Sequence, residues 1–266
     1  MRFQTHRLRR SRMRLDVFLT ENGLTCSRTE AKSFILGGDV KVNEKPVLKC
    51  SYQVLDTDRV SVNKENKRFV SRGGLKLEWA LKTFGVNPEG ALALDVGASS
   101  GGFTDCLLQS GASFVAAVDS GSGQLADSLR ADNRITVIEN YNARYMKSSD
   151  LPFTPNLCVM DVSFISATHI IPAIYDCLAM GGDYILLVKP QFEVGRSGVG
   201  KGGIVRDDKL RKNALDKVIA FAEECGFMTV GKTTSPIEGG DGNIEYLVHF
   251  RKETGRLEKN NCCSKS

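Results

Sequence analysis

Apolar positions near the start of the chain first follow helical spacing and then alternate. From Arg14 to Asn22 they fall at Leu15, Phe18 and Leu19, the spacing of an amphipathic helix, and Gly23 ends it. Ser27 and Glu30 match the Ser-x-x-Glu capping box, and Ala31, Phe34 and Ile35 with the Gly37-Gly38 exit complete a second short helix. Val40 and Val42, followed by Asn43-Glu44, predict a hairpin, and VLDTDRVSV predicts a further strand. Residues 13–62 therefore read as a small α+β domain. The stretch NKENKR is charged and aperiodic, which makes 63–70 a linker.

From residue 71 the period changes. Ser71 to Phe84 predicts a helix with Leu75, Trp79 and either Leu77 or Leu81 packed inward. Short apolar runs at 91–97, 114–119, 135–139, 157–162 and 184–189 alternate with helical stretches, most clearly 207–225. Such alternation predicts an α/β, doubly wound, Rossmann-like sheet, mostly parallel and buried on both faces. Runs at 227–234 and 243–250 have no helix between them, only SPIEGGDG, so they should form an antiparallel pair at one edge. This second domain spans 71–252, and the polar stretch 253–266 reads as a disordered tail.

Charge separates the two domains. Residues 1–68 carry 15 Lys+Arg against 8 Asp+Glu, a balance of +7 within a chain total of +5. A basic block of this kind suits a polyanion, because neutralising phosphates releases counterions, although a merely solvated face has the same composition. The basic side chains that fall together are Arg14, then Arg28 and Lys32 one helical turn apart, and Lys41 on the hairpin. The first 12 residues are arginine-rich but lack the apolar core of a secretory signal, and suit a dispensable extension or a basic arm. The eight cysteines form no CxxC pair, so no metal site is expected, and those within apolar runs suit a reducing, cytoplasmic setting. No apolar run is long enough to cross a bilayer, so a membrane partner is not expected.

ALALDVGASSGGFTDCLL reads as a strand, a glycine turn and a helix, a design that brings backbone close to a ligand at a helix N-terminus. The spacing G-x-x-x-G-G of Gly97, Gly101 and Gly102, with Phe103 behind them, departs from the dinucleotide fingerprint and suits S-adenosylmethionine, although a glycine turn alone could equally serve tight packing. Asp95 would face the methionine end. Asp119, ending the next strand, would accept the ribose hydroxyls, and Asn142 would meet the adenine edge. An acid at Asp119 could equally cap the structure that follows it. GRSGVGKG, residues 195–202, nearly matches a phosphate-binding loop, but Gly202 stands where Ser or Thr would hold magnesium. It reads as a basic loop near the carboxyl edge of the sheet that clamps substrate, or as a plain linker.

Asp161 ends the strand LCVMDVS and Lys189 ends YILLVKP, which aims both at the carboxyl edge where sites form in such sheets. Each could instead be a helix cap. A sugar hydroxyl is a poor nucleophile, so its methylation needs alignment and a group to take the proton.

The stretch RLDVFLTENGLTCSRTEAKSFILGGDVKVNEKPV resembles the S4 RNA-binding domain, which implies docking of the N-terminal module on structured RNA through Arg14, Arg28, Lys32 and Lys41. From Phe69 to Phe250 the chain is similar to the TlyA family, whose members combine an S4 domain with an FtsJ-like methyltransferase domain. The motifs that carry this are SRGGLKL, LDVGASSGGFTDCLL, MDVSFIS, LLVKPQFEVGR, KGGIVRD and GNIEYL. The resemblance implies a catalytic tetrad of Lys76, Asp161, Lys189 and Glu245. Lys189 would be the base, Asp161 its orienting partner, and Lys76 with Glu245 the positioning pair. VDSGSGQL departs from the family by a smaller residue in the turn. The absence of an Asn/Asp-Pro-Pro-aromatic motif and of a Pro-Cys nucleophile favours oxygen as acceptor.

The expected function is S-adenosylmethionine-dependent 2′-O-methylation of ribosomal RNA, with ribosomal RNA or a ribosomal subunit as partner. A non-enzymatic RNA-binding or assembly factor is the alternative, and membrane lysis rests on the family's haemolysin name alone. The sequence sets neither the target nucleotide nor the oligomeric state.

Overall fold

The computed structural model describes residues 12–25, 28–63, 68–195, 198–239 and 242–253. Residues 1–11 of the expected extension, the Ser27 capping box, residues 64–67 of the expected linker and the tail from 254 lie outside the described residues. The chain divides into two compact units, 1–67 and 68–266.

In the first unit, helices α1 (Leu15–Glu21) and α2 (Arg28–Gly37) close over short strands: β1 (Met13–Arg14), β2 (Val40–Val42), β3 (Lys45–Pro46), β4 (Gln53–Val54) and β5 (Val60–Val62). Strands β1 and β4 pair with each other, and β3, β2 and β5 form a three-stranded antiparallel sheet. Leu15, Leu19, Ala31, Phe34, Ile35, Val40, Val42 and Val54 are its core. The hairpin turn is the expected one, with Asn43 and Glu44 both at positive φ (49° and 62°) as a twisted two-residue turn requires. One expectation is corrected here: VLDTDRVSV is two strands, not one. Asp58 breaks it, accepting the Leu55 N–H on its carboxylate at 3.0 Å while its own N–H donates to the Leu55 carbonyl at 2.9 Å.

The second unit is built on β6 (Leu92–Val96), β7 (Phe114–Val118), β8 (Ile135–Ile138), β9 (Leu157–Met160), β10 (Asp183–Val188), β11 (Phe227–Thr234) and β12 (Tyr246–Lys252). Their order is β11-β12-β10-β9-β6-β7-β8, parallel except for β12, which runs antiparallel between β10 and β11. Successive residues of the central strands serve opposite faces. Leu94, Val96, Cys158, Met160, Leu186 and Val188 pack with α6 (Ile171–Cys177) and α7 (Asp208–Glu224). Ala93, Val159, Ile185 and Leu187 pack with α3 (Gly73–Phe84) and α4 (Gly102–Gln109), and Leu129 of the short α5 (Asp127–Arg130) joins that side. Both faces are covered, which is why these strands read as unbroken apolar runs.

The expectation that Trp79 packs inward is also corrected. Helix α3 buries Gly74, Lys76, Leu77, Ala80 and Leu81, leaving Trp79 on the opposite side and 45% exposed. That choice of face matters because it takes a lysine into the interior.

Candidate active site

Strand β6 ends in a sharp turn that only glycine permits. Gly97 has φ +86°, and a β-carbon there would strike the carbonyl oxygen of Asp161 on the neighbouring strand. Gly101 has φ +94°, and a β-carbon there would strike Leu129 before α4 begins at Gly102. These two glycines are thus required by backbone conformation and packing, and their compactness brings Asp161 beside the turn. The Phe103 side chain belongs to the core and is buried.

Asp95 is fully buried in β6. Its Oδ2 accepts from Thr104 Oγ1 at 2.6 Å, whereas Oδ1 has no hydrogen-bond partner. Burial, reinforced by the nearby charge of Asp161, pushes the carboxyl up to about 7, while the Thr104 hydroxyl opposes the rise. A buried acid with one unmet oxygen beside a helix N-terminus suits a cationic ligand group, such as the amino group of a methionine moiety. Asp119, just beyond β7, accepts from Ser99 N–H at 2.8 Å and Gly121 N–H at 2.7 Å, which ties the glycine turn to the next loop. A carboxylate has about four lone-pair sites, so two remain for hydroxyls. Asn142 accepts from Arg144 N–H at 3.1 Å and so caps the 3₁₀ turn Ala143–Tyr145.

Sheet register brings Asp161, Lys189 and Glu245 to one end, and the ion pair with Glu245 ties Lys76 of α3 to it. Gly97 follows the Val96–Met160 pair and Asp161 follows Met160, so these two lie side by side. Lys189 follows Val188, which pairs with Tyr246, and Glu245 precedes Tyr246, so the antiparallel strand delivers Glu245 opposite Lys189. Lys189 Nζ lies 2.5 Å from Asp161 Oδ1 and donates to Ser163 Oγ at 2.8 Å. Lys76 Nζ lies 2.5 Å from Glu245 Oε2, bridging 169 residues of sequence, with both side chains almost fully buried.

Three features here were not singled out from sequence. Asn243 is fully buried; it accepts from Val205 N–H and donates to the Gly203 carbonyl, both at 2.9 Å, and so pins the end of the glycine-rich loop beside Glu245. Glu193 accepts from Ser166 Oγ at 2.6 Å and Ala167 N–H at 2.8 Å, fixing the segment after Asp161. Phe164 has φ +66° and is 92% exposed, its ring centroid 5.3 Å from that of Phe192 in the turn after Lys189. A large apolar residue held exposed at positive φ is uncommon, which makes it a candidate contact surface. Burial of the Asn and Glu was legible only if their partners, 26 to 40 residues away, were known.

In the N-terminal unit, Arg14 and Arg28 both bond Asp16, whereas Lys32 and Lys41 are exposed. Among the described residues no group of three His, Cys, Asp or Glu could hold a metal, and no helix is long and apolar enough to cross a membrane.

A seven-stranded sheet of this order, with one antiparallel strand and a glycine turn opening α4, defines a Rossmann-like methyltransferase fold. The family model described as FtsJ-like methyltransferase matches residues 69–252, and that of the S4 domain matches 13–60. The chain belongs to the FtsJ-like methyltransferase family and carries an S4 domain in front. It is 47% identical over 239 residues to the protein named Hemolysin A of Brachyspira hyodysenteriae, covering 90% of this chain and 99% of that one. It is 42% identical over 246 residues to the 16S/23S rRNA (cytidine-2′-O)-methyltransferase TlyA of Mycobacterium tuberculosis, covering 92% of each. A solved structure titled as a hemolysin from Streptococcus thermophilus matches with a TM-score of 0.73 and 42% identity, over 92% of this chain and 90% of that one.

Proposed function

We propose that this protein is an S-adenosylmethionine-dependent ribosomal RNA 2′-O-methyltransferase that docks on folded RNA through its S4 domain. The observation that carries the reading is the meeting of two lysine–carboxylate pairs at the sheet end that holds the glycine turn and the unmet oxygen of Asp95. Asp95 would hold the cofactor's amino group, Asp119 its ribose, and the backbone of 97–103 its chain, with Asn142 toward the adenine. The cofactor supplies a methyl group on a sulfonium, activated for attack by an oxygen.

Lys189, once its ammonium has given a proton to solvent, takes the proton of the ribose hydroxyl as a neutral amine, and Asp161 with Ser163 holds that amine in place. Lys76 and Glu245, buried against each other, form the wall that positions the reacting sugar. Phe164 offers a flat apolar surface at the mouth of the site for an unstacked base. Arg14, Arg28, Lys32 and Lys41 contact RNA phosphates, and the setting is cytoplasmic, where ribosomes are found.

Purified ribosomal subunits incubated with the protein and labelled S-adenosylmethionine test this, with mass mapping of the modified nucleotides. Ribose-borne methyl groups on 16S or 23S rRNA are the expected product. Cofactor binding without transfer to either RNA would replace this reading with that of an assembly factor.

A further inference from the structure

Asp16 is an acid sunk into the basic module. It sits in the first turn of α1 with no solvent exposure, and its N–H donates to the Cys50 carbonyl at 3.2 Å. Its Oδ1 accepts from Arg14 Nε at 2.9 Å and from Val17 N–H at 3.1 Å. Its Oδ2 accepts from Arg14 Nη2 and from Arg28 Nη2, each at 3.0 Å. One carboxylate therefore grips the fork of Arg14 bidentately and the tip of Arg28 from the next helix. Both arginines remain open on their other side, with 47% and 59% of their side chains exposed. Lys32, one helical turn beyond Arg28, is exposed, and the Cys50 thiol feels both it and Arg14.

A free surface arginine must surrender rotamer entropy when it binds. Two guanidinium groups already held by a buried carboxylate have surrendered much of it, and their planar forks suit phosphate oxygens. We propose that Asp16 is a positioning residue for RNA docking, aligning Arg14 and Arg28 as a preformed pair for adjacent phosphates of a folded RNA. This rests on the reading of the S4 domain as the RNA-docking unit. The hydrogen bonds from Arg14 and Arg28 hold the Asp16 carboxyl down at about 2, so it is ionised throughout the physiological range.

Charge counting and positioning predict opposite signs for Asp16→Asn. Removing a negative charge from a polyanion-binding face should tighten binding; removing the anchor should weaken it. The test is equilibrium binding of the full-length protein to purified small and large ribosomal subunits across a salt series, with Asp16→Asn, the double variant Arg14→Ala/Arg28→Ala, and Arg14→Lys/Arg28→Lys. Asp16→Asn is expected to weaken binding about fivefold to tenfold and to flatten the salt slope by about 0.7 to 0.9 for each phosphate that is no longer neutralised. The slope distinguishes positioning from mere stability, because a lower folded fraction shifts affinity without changing the slope. Affinity that is unchanged or higher in Asp16→Asn while the double alanine variant weakens overturns the inference and leaves RNA docking intact. An affinity loss with an unaltered slope and a lowered melting temperature also overturns it. If the double alanine variant binds as wild type, the RNA-docking role of this face fails and the inference with it. Should Asp16→Asn not fold, the double lysine variant decides: it keeps the charge but not the forks, and undiminished binding overturns the proposal.

Discussion

Two lysine–carboxylate pairs stand at the same end of the sheet, each closing to 2.5 Å, and they differ in what surrounds them. Lys76–Glu245 is sealed: the side chains retain 10% and 2% of their exposure, and α3 and the entry to β12 close over them. Lys189–Asp161 retains 13% and 22%, shares its amine with Ser163, and sits at strand ends that face outward. Identical chemical groups thus divide into a sealed pair and a more open one, which the proposed function makes the wall and the working edge. Desolvated charges cannot be parted cheaply, whereas the more open pair can exchange partners as a substrate arrives.

Removing the working amine should have the largest consequence. Lys189→Ala is expected to lower methyl transfer by about 10² to 10⁴-fold with RNA binding unchanged, measured by single-turnover transfer to ribosomal subunits. If Lys76→Ala abolished transfer and Lys189→Ala did not, the division between the pairs would be reversed.

The sealed pair should speak through stability. Glu245→Leu leaves an uncompensated ammonium in the interior and should cost about 3 to 5 kcal/mol in denaturant unfolding, while Asp161→Asn should cost less than about 1. Lys76→Met combined with Glu245→Leu should regain most of that stability and none of the activity. Recovery of activity in the double variant would show that the wall needs shape and not charge.

Asp95 extends the contrast to pH. Its folded-state value of about 7 exceeds that of an unfolded aspartate, so between roughly pH 4 and 7 the native chain binds more protons and its stability falls as pH rises. A cationic ligand needs the carboxylate, so binding of S-adenosylhomocysteine should tighten toward pH 8, by at most about tenfold per unit below 7, with proton release on binding. Calorimetry in buffers of different ionisation enthalpy reads that proton directly. In Asp95→Asn both the pH dependence and the release should vanish.

A change confined to RNA contact is expected from Phe164→Ala, which removes only an exposed ring. A loss of about 1 to 3 kcal/mol in transition-state stabilisation, seen in kcat/KM for subunits with cofactor affinity intact, is the size of one stacking interaction.

Period and punctuation in the sequence conveyed the sheet well. The missing helix between the last two runs correctly implied the antiparallel edge pair, because β strands joined by a short loop can pair only that way. The inward face of α3 was harder to read: Trp79 was expected in the core and is exposed, while Lys76 is buried, since tertiary pairing with Glu245 outweighs hydropathy. Strand-end positions placed Asp161 and Lys189 at the carboxyl edge, although position alone left a helix cap open for each; the structure adds that they meet at 2.5 Å. Asn243, Glu193 and Asp16 gave no such sign. Each is buried only because of particular partners, and Asn243 and Glu193 take theirs from distant segments. The left-handed backbone of Phe164 is likewise a property of the packed turn rather than of its residue type.

The reversed direction of β12 has a temporal meaning as well. Glu245 stands at the entry of β12, the last strand among the described residues, so it follows Lys76, Asp161 and Lys189 in order of synthesis. Until that segment is made, Lys76 lacks the carboxylate that the folded chain sets 2.5 Å from its amine.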